Sequence, residues 1–599
     1  MTTQSIDSIT SEIIRHQFIS AAEEMKINLA RSSYNPVVFE MYDFAVGVFD
    51  AEANMIAQAP GLPVFLGTLR ENVKMVTADI GGLDKFQPGD LYLMNDPYVG
   101  GTHLLDVTCV GPVFDGDEIL GFSVAKTHWL DVGGKDPGSY SNDTRNIFQE
   151  GLRLRSVKIF DAGQPVKPVF DTIKYNVRVS ESVLGDLRSQ IAACRTGERR
   201  FKAIVKKYGR ETVFEAKTQF MNHAEKMARL AVEHIPDGRY EAEGWLDNDS
   251  LHPKGKHLLI RVAITVTGQE MVVDLTGSQA QNAGPINCGL ATTISAVRVG
   301  FKCVTTPWVP INEGSFRPLK VIVPENSMFN AKYPAPCCQF GRHLLTMIDT
   351  FLKALASKLE RKIPAGHYCD LGILSISGID PRNGQEFIHV DSSSGGWGGS
   401  EGTDGESCLI AIQDGDSKNV PTELLEQRYP LRISQFCVRQ DSGGPGKFRG
   451  GLGHIRDFQV LSDTVKLLTS VERHGYKPWG IAGGLDGLSN NAVLNPGTRR
   501  EREVRKVTNF ALKSGDILSM RSGGGGGFGL PSERDPVCVL EDVIDGYISI
   551  QSARTDYECP IRMNGRAGIF EMSETKTIRS RAKRKTSKVN SRVFLRKSR

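Results

Sequence analysis

Several patterns that mark common protein classes are missing from this sequence of 599 residues. No uninterrupted apolar run approaches the roughly 18 residues that a membrane-spanning helix needs. The first residues, MTTQSIDSIT, contain an early acidic residue and no apolar core, so they do not indicate a signal peptide. The eleven cysteines form no CxxC pair and have no regular spacing, which predicts free thiols in a reducing compartment. We therefore expect a cytoplasmic protein with no membrane partner.

The sequence also lacks the loops that bind nucleotides or activate a serine nucleophile. No GxxxxGK[ST] phosphate-binding loop occurs. Gly524, Gly526 and Gly529 satisfy the spacing GxGxxG, but a Leu-Pro-Ser-Glu segment follows them where a dinucleotide site requires a helix. No GxSxG motif lies in a strand–turn–helix setting. An ATP site is therefore not expected on this chain.

Acidic side chains are absent from the C-terminal tail. Residues 576–599 contain eleven Lys or Arg residues and no Asp or Glu. The formal net charge of the whole chain is only +4, so residues 1–575 carry a net charge of about −7. A basic tail can bind nucleic acid, but a solvated and disordered end is the commoner case. We expect a disordered tail and no nucleic-acid partner.

Glycine, by contrast, is abundant. The sequence has 62 glycines, and many lie in clusters such as SSSGGWGGSEGTDG, DSGGPGKFRGGLG, GIAGGLDG and SGGGGGFG. These clusters predict tight turns or the rim of a substrate site.

Helical and strand patterns alternate along the chain. Residues 9–31 carry an apolar stripe at three- and four-residue steps, and helices are also predicted at 64–80, 182–234, 289–303 and 342–360. We predict an α+β, multi-domain protein with mostly antiparallel or mixed sheets and several long helices. The predicted units are an N-terminal α+β domain at 1–236, a central strand-rich domain at 237–420, a C-terminal glycine-rich β domain at 421–575, and the basic disordered tail at 576–599.

Histidine and aspartate come together within the first 130 residues. His103 and Asp106 occur in GGTHLLD, and His128 occurs in THWLDVGG. The strands between them are joined by FDGDE, a tight-turn pattern. A loop at the Asp-Gly pair would place His128 opposite His103, whereas a loop one residue later would place it opposite Leu105. In both registers, the two histidines and Asp106 lie at one end of one hairpin.

Imidazole and carboxylate groups are the ligand set of Zn²⁺, Mn²⁺ and Fe²⁺. Glycines at 100 and 101 would let the backbone bend so that these side chains converge. The alternative is two unrelated histidines with ordinary hydrogen bonds. The residues alone therefore make the N-terminal domain a candidate metal-binding domain.

A second possible chemistry lies at Cys337 and Cys338, close to His343 in the sequence. The spacing is compatible with thiol catalysis. A buried pair of structural cysteines is the commoner case, and we expect that role here.

Many ordered segments of this sequence resemble the hydantoinase B/oxoprolinase family. They begin with NDPYVGGTHLLDVT, THWLDVGG, QEGLR and GDLRSQIAA, and continue with TGSQAQNAGPIN, NEGSFRPLKVIVP, GGWGG, DSGGPGKFRGGLG and RHGYKPWGIAGG. The resemblance covers roughly residues 10–530. The sequence departs from the family pattern at Met41, Tyr42 and Leu105 and in the segment PAPCCQFGRH, none of which is an expected metal ligand.

The resemblance implies a metal site and a division of labour between subunits. By motif, the metal ligands would be Asp43, His103, Asp106 and His128, holding one divalent metal (Zn or Mn, with Fe as a further candidate). A partner of the hydantoinase A type would bind ATP and phosphorylate a small cyclic amide, such as a hydantoin, 5-oxoproline or a lactam. This chain would then open the ring by hydrolysis. The resemblance also implies a hetero-oligomer of the α2β2 type.

Three further residues are candidates for catalysis. Asp131 follows His128 by three residues and could orient a ligand or act as a general base, and Glu150 and Arg153 of QEGLR could contact the substrate or intermediate. The alternative role for all three is to stabilise loops. Two other functions remain open, a subunit of an acetone- or acetophenone-type carboxylase and a non-catalytic scaffold.

Overall fold

The computed structural model describes residues 6–252, 255, 257–359, 361–564 and 569–572. The predicted disordered tail, 576–599, lies outside these residues. The helices are α1 (Ser8–Ser32), α2 (Pro36–Phe39), α3 (Pro63–Ile80), α4 (Lys167–Asn176), α5 (Ser180–Tyr208), α6 (Arg210–Glu233), α7 (Leu290–Thr305), α8 (Gly341–Leu359), α9 (Thr422–Arg428), α10 (Pro536–Ile544) and α11 (Ile550–Thr555).

Each long helix buries an apolar face against a sheet or another helix. In α1 the apolar stripe recurs at helical spacing, and its members Ile14, Phe18, Met25 and Leu29 are all fully buried. Helix α1 packs on α5, and α5 packs on the hairpin that carries the predicted metal ligands. The helices predicted at 9–31, 64–80, 289–303 and 342–360 are confirmed within a few residues, and the segment at 182–234 forms α5 and α6.

The first sheet holds seven antiparallel strands. They are β1 (Phe44–Asp50), β2 (Met55–Gln58), β3 (Leu91–Met94), β4 (Asp106–Asp115), β5 (Glu118–His128), β6 (Val157–Asp161) and β7 (Gln164–Pro165). Their order across the sheet is β2-β1-β5-β4-β3-β6-β7. The hairpin of β4 and β5 is therefore central, and both of its long strands are buried apart from their ends at the turn.

The second sheet is mixed. Its strands are β8 (Gly238–Leu246), β9 (Leu258–Thr267), β10 (Glu270–Asp274) and β11 (Leu319–Ile322). They lie in the order β11-β10-β9-β8, with β10 and β11 parallel and the other pairs antiparallel. Helix α8 packs on β8 and β9 and is buried along most of its length.

The C-terminal half forms two further antiparallel sheets and a small hairpin. The strands are β12 (Ile373–Ile379), β13 (Glu386–Asp391), β14 (Leu431–Val438), β15 (His454–Val460), β16 (Val465–Ser470), β17 (Asn491–Leu494), β18 (Arg502–Glu503), β19 (Lys506–Leu512), β20 (Ile517–Arg521), β21 (Ile561–Asn564) and β22 (Ile569–Met572). The sheet orders are β13-β12-β16-β19 and β14-β15-β20-β17-β18, and β21 pairs with β22. The α+β class with mostly antiparallel and mixed sheets is thus confirmed.

The glycine clusters pack backbone against backbone, outside the strands. Four segments meet: 395–399, 443–453, 480–487 and 523–529. Gly525 donates its N–H to the carbonyl of Gly451 and accepts from the N–H of Gly444. A Cβ on Gly525 would lie only 1.9 Å from the carbonyl oxygen of Trp397. The prediction of turns or a substrate rim is therefore wrong for this position, where glycine is needed for close approach of chains.

The predicted domain boundaries remain predictions. Residue 236 falls in the loop between α6 and β8, and residue 421 directly precedes α9. Two large apolar clusters nevertheless cross both boundaries: one joins the first sheet to the C-terminal sheets, and the other joins it to the second sheet and α8. The described residues include no helix that is both long and apolar enough to cross a membrane.

The glycine packing generates a test on stability. Gly525→Ala should cost at least about 3 kcal/mol, because backbone atoms rather than flexible side chains surround the new methyl group. The expected result is loss of soluble protein or a large drop in the thermal unfolding midpoint. Gly384→Asn is the matched control, since Gly384 has φ 73° with nothing within 4 Å, and Asn tolerates that conformation. A wild-type midpoint for Gly525→Ala would contradict the close packing.

Candidate metal centre

The hairpin of β4 and β5 brings predicted ligands together at its open end. Its loop is the Gly-Asp pair at 116–117, one residue later than the Asp-Gly loop of the first register. A bulge further along shifts the pairing by one more residue, so His128 lies opposite Asp106. Both sequence registers, with His103 or Leu105 opposite His128, are therefore wrong, because neither allowed for a bulge. The convergence that both predicted is confirmed.

Three ligand-type side chains meet at this end of the hairpin. His103 Nε2 and His128 Nδ1 each lie 2.8 Å from Asp106 Oδ1, and the two nitrogens are 3.3 Å apart. All three residues are at most 2 % exposed. Ligand atoms about 2.1 Å from a tetrahedral zinc ion lie about 3.4 Å from one another. The spacing of this group is thus close to that of a metal coordination sphere.

The hydrogen bonds of His103 leave a lone pair pointing into the group. Its Nδ1 lies 3.2 Å from the carbonyl oxygen of Cys338, which can only accept, so Nδ1 carries the proton. In the neutral ring, Nε2 then has a lone pair directed at Asp106 Oδ1, another acceptor. A proton or a metal ion between these atoms would remove the repulsion. Metal-ligating histidines commonly donate their second nitrogen to a carbonyl in this way.

Asp43 lies on the wall of the same cavity, immediately before β1. Its backbone carbonyl accepts from the N–H of His128, at 3.1 Å. Its carboxylate is outside the tight group of three, whose ligand atoms are all within 4.8 Å of one another. Asp43 Oδ1 is buried and has no hydrogen-bond partner among the described residues. Burial raises the pKa of Asp43 to about 7, although His128 opposes the shift.

The cavity between these groups has a volume of about 50 Å³. Sequence reasoning missed several of its lining residues, including Tyr140, Arg342, Gln413 and Asp414. Asp414 Oδ2 and both polar atoms of the Gln413 amide are buried with no partner in the described part of the chain. Burial raises the pKa of Asp414 to about 8. No motif spacing links the segment AIQDGDS to the hairpin, so only the fold identifies it.

Neighbouring groups fix the orientation of the cluster. Thr102 Oγ1 donates a short hydrogen bond to Asp106 Oδ2, which leaves Oδ1 for the histidines. The ring of Tyr140 stacks on His128, with centroids 5.6 Å apart and an interplanar angle of 23°. The ring of Phe340 lies 4.8 Å from that of His103.

Asp131 lies beside the cluster, but it does not line the cavity within the described residues. Its carboxylate accepts from five donors: the backbone N–H groups of Gly133, Gly138 and Arg178, the Ser139 hydroxyl and the Arg178 guanidinium. These contacts hold the loop that leads to Tyr140. The contacts favour the loop-stabilising alternative for Asp131.

Glu150 and Arg153 are also outside the cavity lining in the part of the chain described. Glu150 is buried, and its carboxylate accepts from the N–H groups of Cys337 and Cys338 and from the hydroxyl of Thr144. Burial raises the pKa of Glu150 to about 7, against the opposing effect of these hydrogen bonds. The Arg153 guanidinium stacks on a tyrosine ring at 4.6 Å and lies 3.8 Å from the Asp96 carboxylate.

The two adjacent cysteines are buried, as expected. The Cys337 thiol faces the carbonyl of Ala335, and the Cys338 thiol faces that of Ser139. Burial raises the pKa of both thiols well above the usual value, which disfavours a reactive thiolate. His343 contacts Cys288 and not this pair. Their contacts thus match the structural role.

Solved structures with the same fold include two ATP-dependent enzymes. The ATP-dependent caprolactamase of Pseudomonas jessenii matches with a TM-score of 0.88 and 29 % identity, covering 97 % of this chain and 100 % of that one. A nucleotide-free acetone carboxylase also matches with a TM-score of 0.88, at 18 % identity, covering 96 % of this chain and 83 % of that one. The second likeness shows the fold alone.

The sequence also matches known proteins along most of its length. A D-/L-hydantoinase subunit of Pseudomonas sp. (strain NS671) is 34 % identical over 92 % of this chain and 95 % of its own length. The family model for hydantoinase B/oxoprolinase matches residues 7–531. This chain therefore belongs to the hydantoinase B/oxoprolinase family.

Proposed function

We propose that this chain is the metal-dependent, ring-opening subunit of an ATP-dependent hydrolase of cyclic amides. The observation that carries the proposal is the buried convergence of His103, Asp106 and His128, with the unpartnered Asp43 Oδ1 on the same cavity wall. The names of relatives, a hydantoinase subunit and a caprolactamase, support the substrate class. A hydantoin, 5-oxoproline or another lactam fits this class.

The donor set fits one divalent metal ion. Two imidazoles and carboxylates suit Zn²⁺ or Mn²⁺, and also Fe²⁺. We assign Asp43, His103, Asp106 and His128 as its ligands. Bound there, such an ion would supply Lewis acidity and lower the pKa of coordinated water toward neutrality. Thr102 and the carbonyl of Cys338 would hold Asp106 and His103 in place for it.

ATP would be used on a partner subunit. An unstrained amide is a poor electrophile, and phosphorylation of the ring oxygen would make its carbon easier to attack. Because this sequence contains no GxxxxGK[ST] loop, we assign that step to a subunit of the hydantoinase A type in an α2β2-like hetero-oligomer. The hydantoinase relative is itself named as a subunit, which supports a partner. A cytoplasmic location stays a prediction of the cysteine pattern.

Asp414 is better placed than Asp131 to accept a proton during ring opening. Asp414 Oδ2 lies on the cavity wall without a hydrogen-bond partner among the described residues, whereas the Asp131 carboxylate accepts from five donors. A general base must have a free oxygen within reach of the reacting water. We therefore propose Asp414 as the general base and Asp131 as a positioning residue for the loop before Tyr140.

Glu150 is proposed as a positioning residue as well. It accepts from the N–H of Cys338, whose carbonyl in turn accepts from His103 Nδ1. The carboxylate thus supports the loop that orients one ligand. Arg153, which is partly exposed, remains an untested candidate for contact with substrate or partner.

The carboxylase alternative has weaker support. The acetone carboxylase match is at 18 % identity and shows the fold alone, whereas the caprolactamase match is at 29 %. A scaffold role has no use for two unpartnered buried carboxylate oxygens around a cavity.

His103→Ala should remove the metal, because the carboxylates and one imidazole that remain bind it less well. We expect a loss of at least ~10-fold in metal affinity, and with it the loss of ring opening in the presence of the co-expressed partner. Metal content by mass spectrometry and ring opening of hydantoin, 5-oxoproline and caprolactam provide the measurements. Wild-type metal content and turnover in this variant would sink the proposal.

Asp414→Asn should keep the metal but reduce kcat by about 100-fold or more, since general-base catalysis contributes that much. The same two measurements apply. The control for both variants is His223→Ala, at an exposed position on α6, which should change neither quantity. Full turnover in Asp414→Asn would leave the metal site intact and remove only the base assignment.

Glu150→Gln should show a pH-dependent effect on stability. The pKa of Glu150 is raised from 4.5 to about 7 on folding, so the stability linked to its protonation is fully present at low pH and is lost as the pH rises through about 7. The full shift corresponds to roughly 3 kcal/mol. Gln cannot ionise, but it replaces one acceptor oxygen with a donor. The variant should therefore be less stable than wild type at pH 5, and the gap should narrow or invert by pH 8.

Scanning calorimetry at a fixed scan rate, repeated across this pH range, would measure the gap. Glu386→Gln, at an exposed position in β13, is the control and should give a gap that does not change with pH. A constant gap for Glu150→Gln would contradict a buried carboxyl with a raised pKa.

A further inference from the structure

A second group of ligand-type side chains lies apart from the hairpin cluster. Asp349 is on α8, and His367 and Cys369 are on the segment that leads into β12. Their ligand atoms all lie within 4.8 Å of one another, and the residues are 2 %, 5 % and 1 % exposed. His367 Nδ1 is 2.9 Å from Cys369 Sγ and 3.6 Å from Asp349 Oδ1. The ring of His367 therefore lies within reach of both of the other groups.

The carboxylate of Asp349 is held in one orientation from behind. Its Oδ2 accepts from the guanidinium of Arg473, at 3.1 Å, and from the indole N–H of Trp479, at 3.0 Å. Its Oδ1 is left facing the histidine side and has no hydrogen-bond partner in the described part of the chain. An oxygen fixed by hydrogen bonds beside an oxygen left free is typical of a carboxylate that binds a metal.

The backbone at this group is unusual at two positions. Cys369 has φ 51° and Arg473 has φ 58°, both in the left-handed region that side chains with a Cβ rarely adopt. Such conformations persist where the surroundings determine them, and they concentrate at functional sites. One of these residues supplies the thiol, and the other orients the carboxylate.

A large cavity lies next to the group. Its volume is about 490 Å³, and its lining includes Asp349 and His367 together with apolar side chains such as Leu352, Leu355 and Trp397. Access from this cavity would leave room for a ligand that the protein itself does not supply.

We propose that Asp349, His367 and Cys369 bind a zinc ion with a fourth coordination position facing this cavity. Thiolate and imidazole ligands select zinc over magnesium, calcium or manganese. The thiolate and the carboxylate balance the two positive charges of the ion. The thiol of Cys369 loses its proton to solvent when the ion binds. Three protein ligands with one open position are the pattern of zinc sites that take water or a small molecule as the fourth ligand.

This site is chemically distinct from the hairpin cluster. Cys369 supplies a sulfur ligand, whereas the four ligands proposed for the first site are imidazoles and carboxylates. The nearest thiol to the first site is that of Cys338, which lines its cavity. A sulfur-specific signal, with Cys338 removed as a control, therefore separates the two sites. The inference does not depend on the hydrolase proposal.

Cobalt(II) is the probe, because it replaces zinc and gives a thiolate-to-cobalt charge-transfer band in the near ultraviolet only when sulfur is a ligand. The metal-free full-length protein, titrated with cobalt(II), should show this band. Cys369→Ser should abolish the band and lower the bound cobalt by about one ion per chain. His367→Gln should weaken cobalt binding and shift the band.

Two controls make the result specific. His103→Ala and Cys338→Ser should both keep the band, and the cobalt that remains bound in Cys369→Ser at the first site reports that this variant is folded. Absence of the band in wild type, its persistence in Cys369→Ser, or its loss in Cys338→Ser alone would overturn the proposal. Failure of the first site would instead appear as unchanged cobalt content in His103→Ala, with the band intact.

Discussion

The buried carboxylate of Asp106 sets the constraint on which the first site depends. Burial alone would raise the pKa of Asp106, but His103 and His128 hold it below its usual range. The same burial raises the pKa of Asp43 and of Asp414 on the neighbouring wall, each of which has an unpartnered oxygen. Three carboxylates around a cavity of about 50 Å³ repel one another when ionised, and two neutral imidazoles cannot offset them. A divalent cation is the counter-charge that lets all three ionise, which is why the chemistry of the donor set and the electrostatics agree.

The glycine-rich backbone packing is the second constraint, and it positions the other half of the molecule. Segments without side chains approach so closely that a Cβ on Gly526 would lie 1.9 Å from the carbonyl oxygen of Trp479. The indole of that same tryptophan donates to Asp349, and Trp397, which packs against Gly525, lines the adjacent cavity. The glycines therefore act at a distance from any ligand, since they fix the two tryptophans that border the Asp349 group.

Sequence reasoning succeeded where the determining pattern is local. The apolar stripe of α1 and the HxxD spacing of His103 and Asp106 follow from helix and turn geometry, so both were predictable. It failed where long-range packing decides. The bulge that sets His128 opposite Asp106 depends on the fit of a whole sheet, and no local signal marks it. Asp414 reaches the cavity from a loop far along the chain, and the close packing of Gly525 requires knowledge of which segment faces it. Candidate residues chosen by motif adjacency, such as Glu150, proved to be supports of the site.

The two ligand groups share their supports. Along α8, Arg342 and Leu345 line the first cavity, and Asp349 follows about one turn later in the second group. On the segment before β12, Cys369 belongs to the second group, whereas its neighbour Asp370 pairs with Arg342 at the first cavity. Adjacent residues in an extended segment point in opposite directions, which explains how one short stretch serves both. Because the cores around them are close-packed, a shift of α8 that tightens one group must move a ligand or support of the other. Two buried clusters at one helix are therefore best understood as a single mechanical unit with two openings.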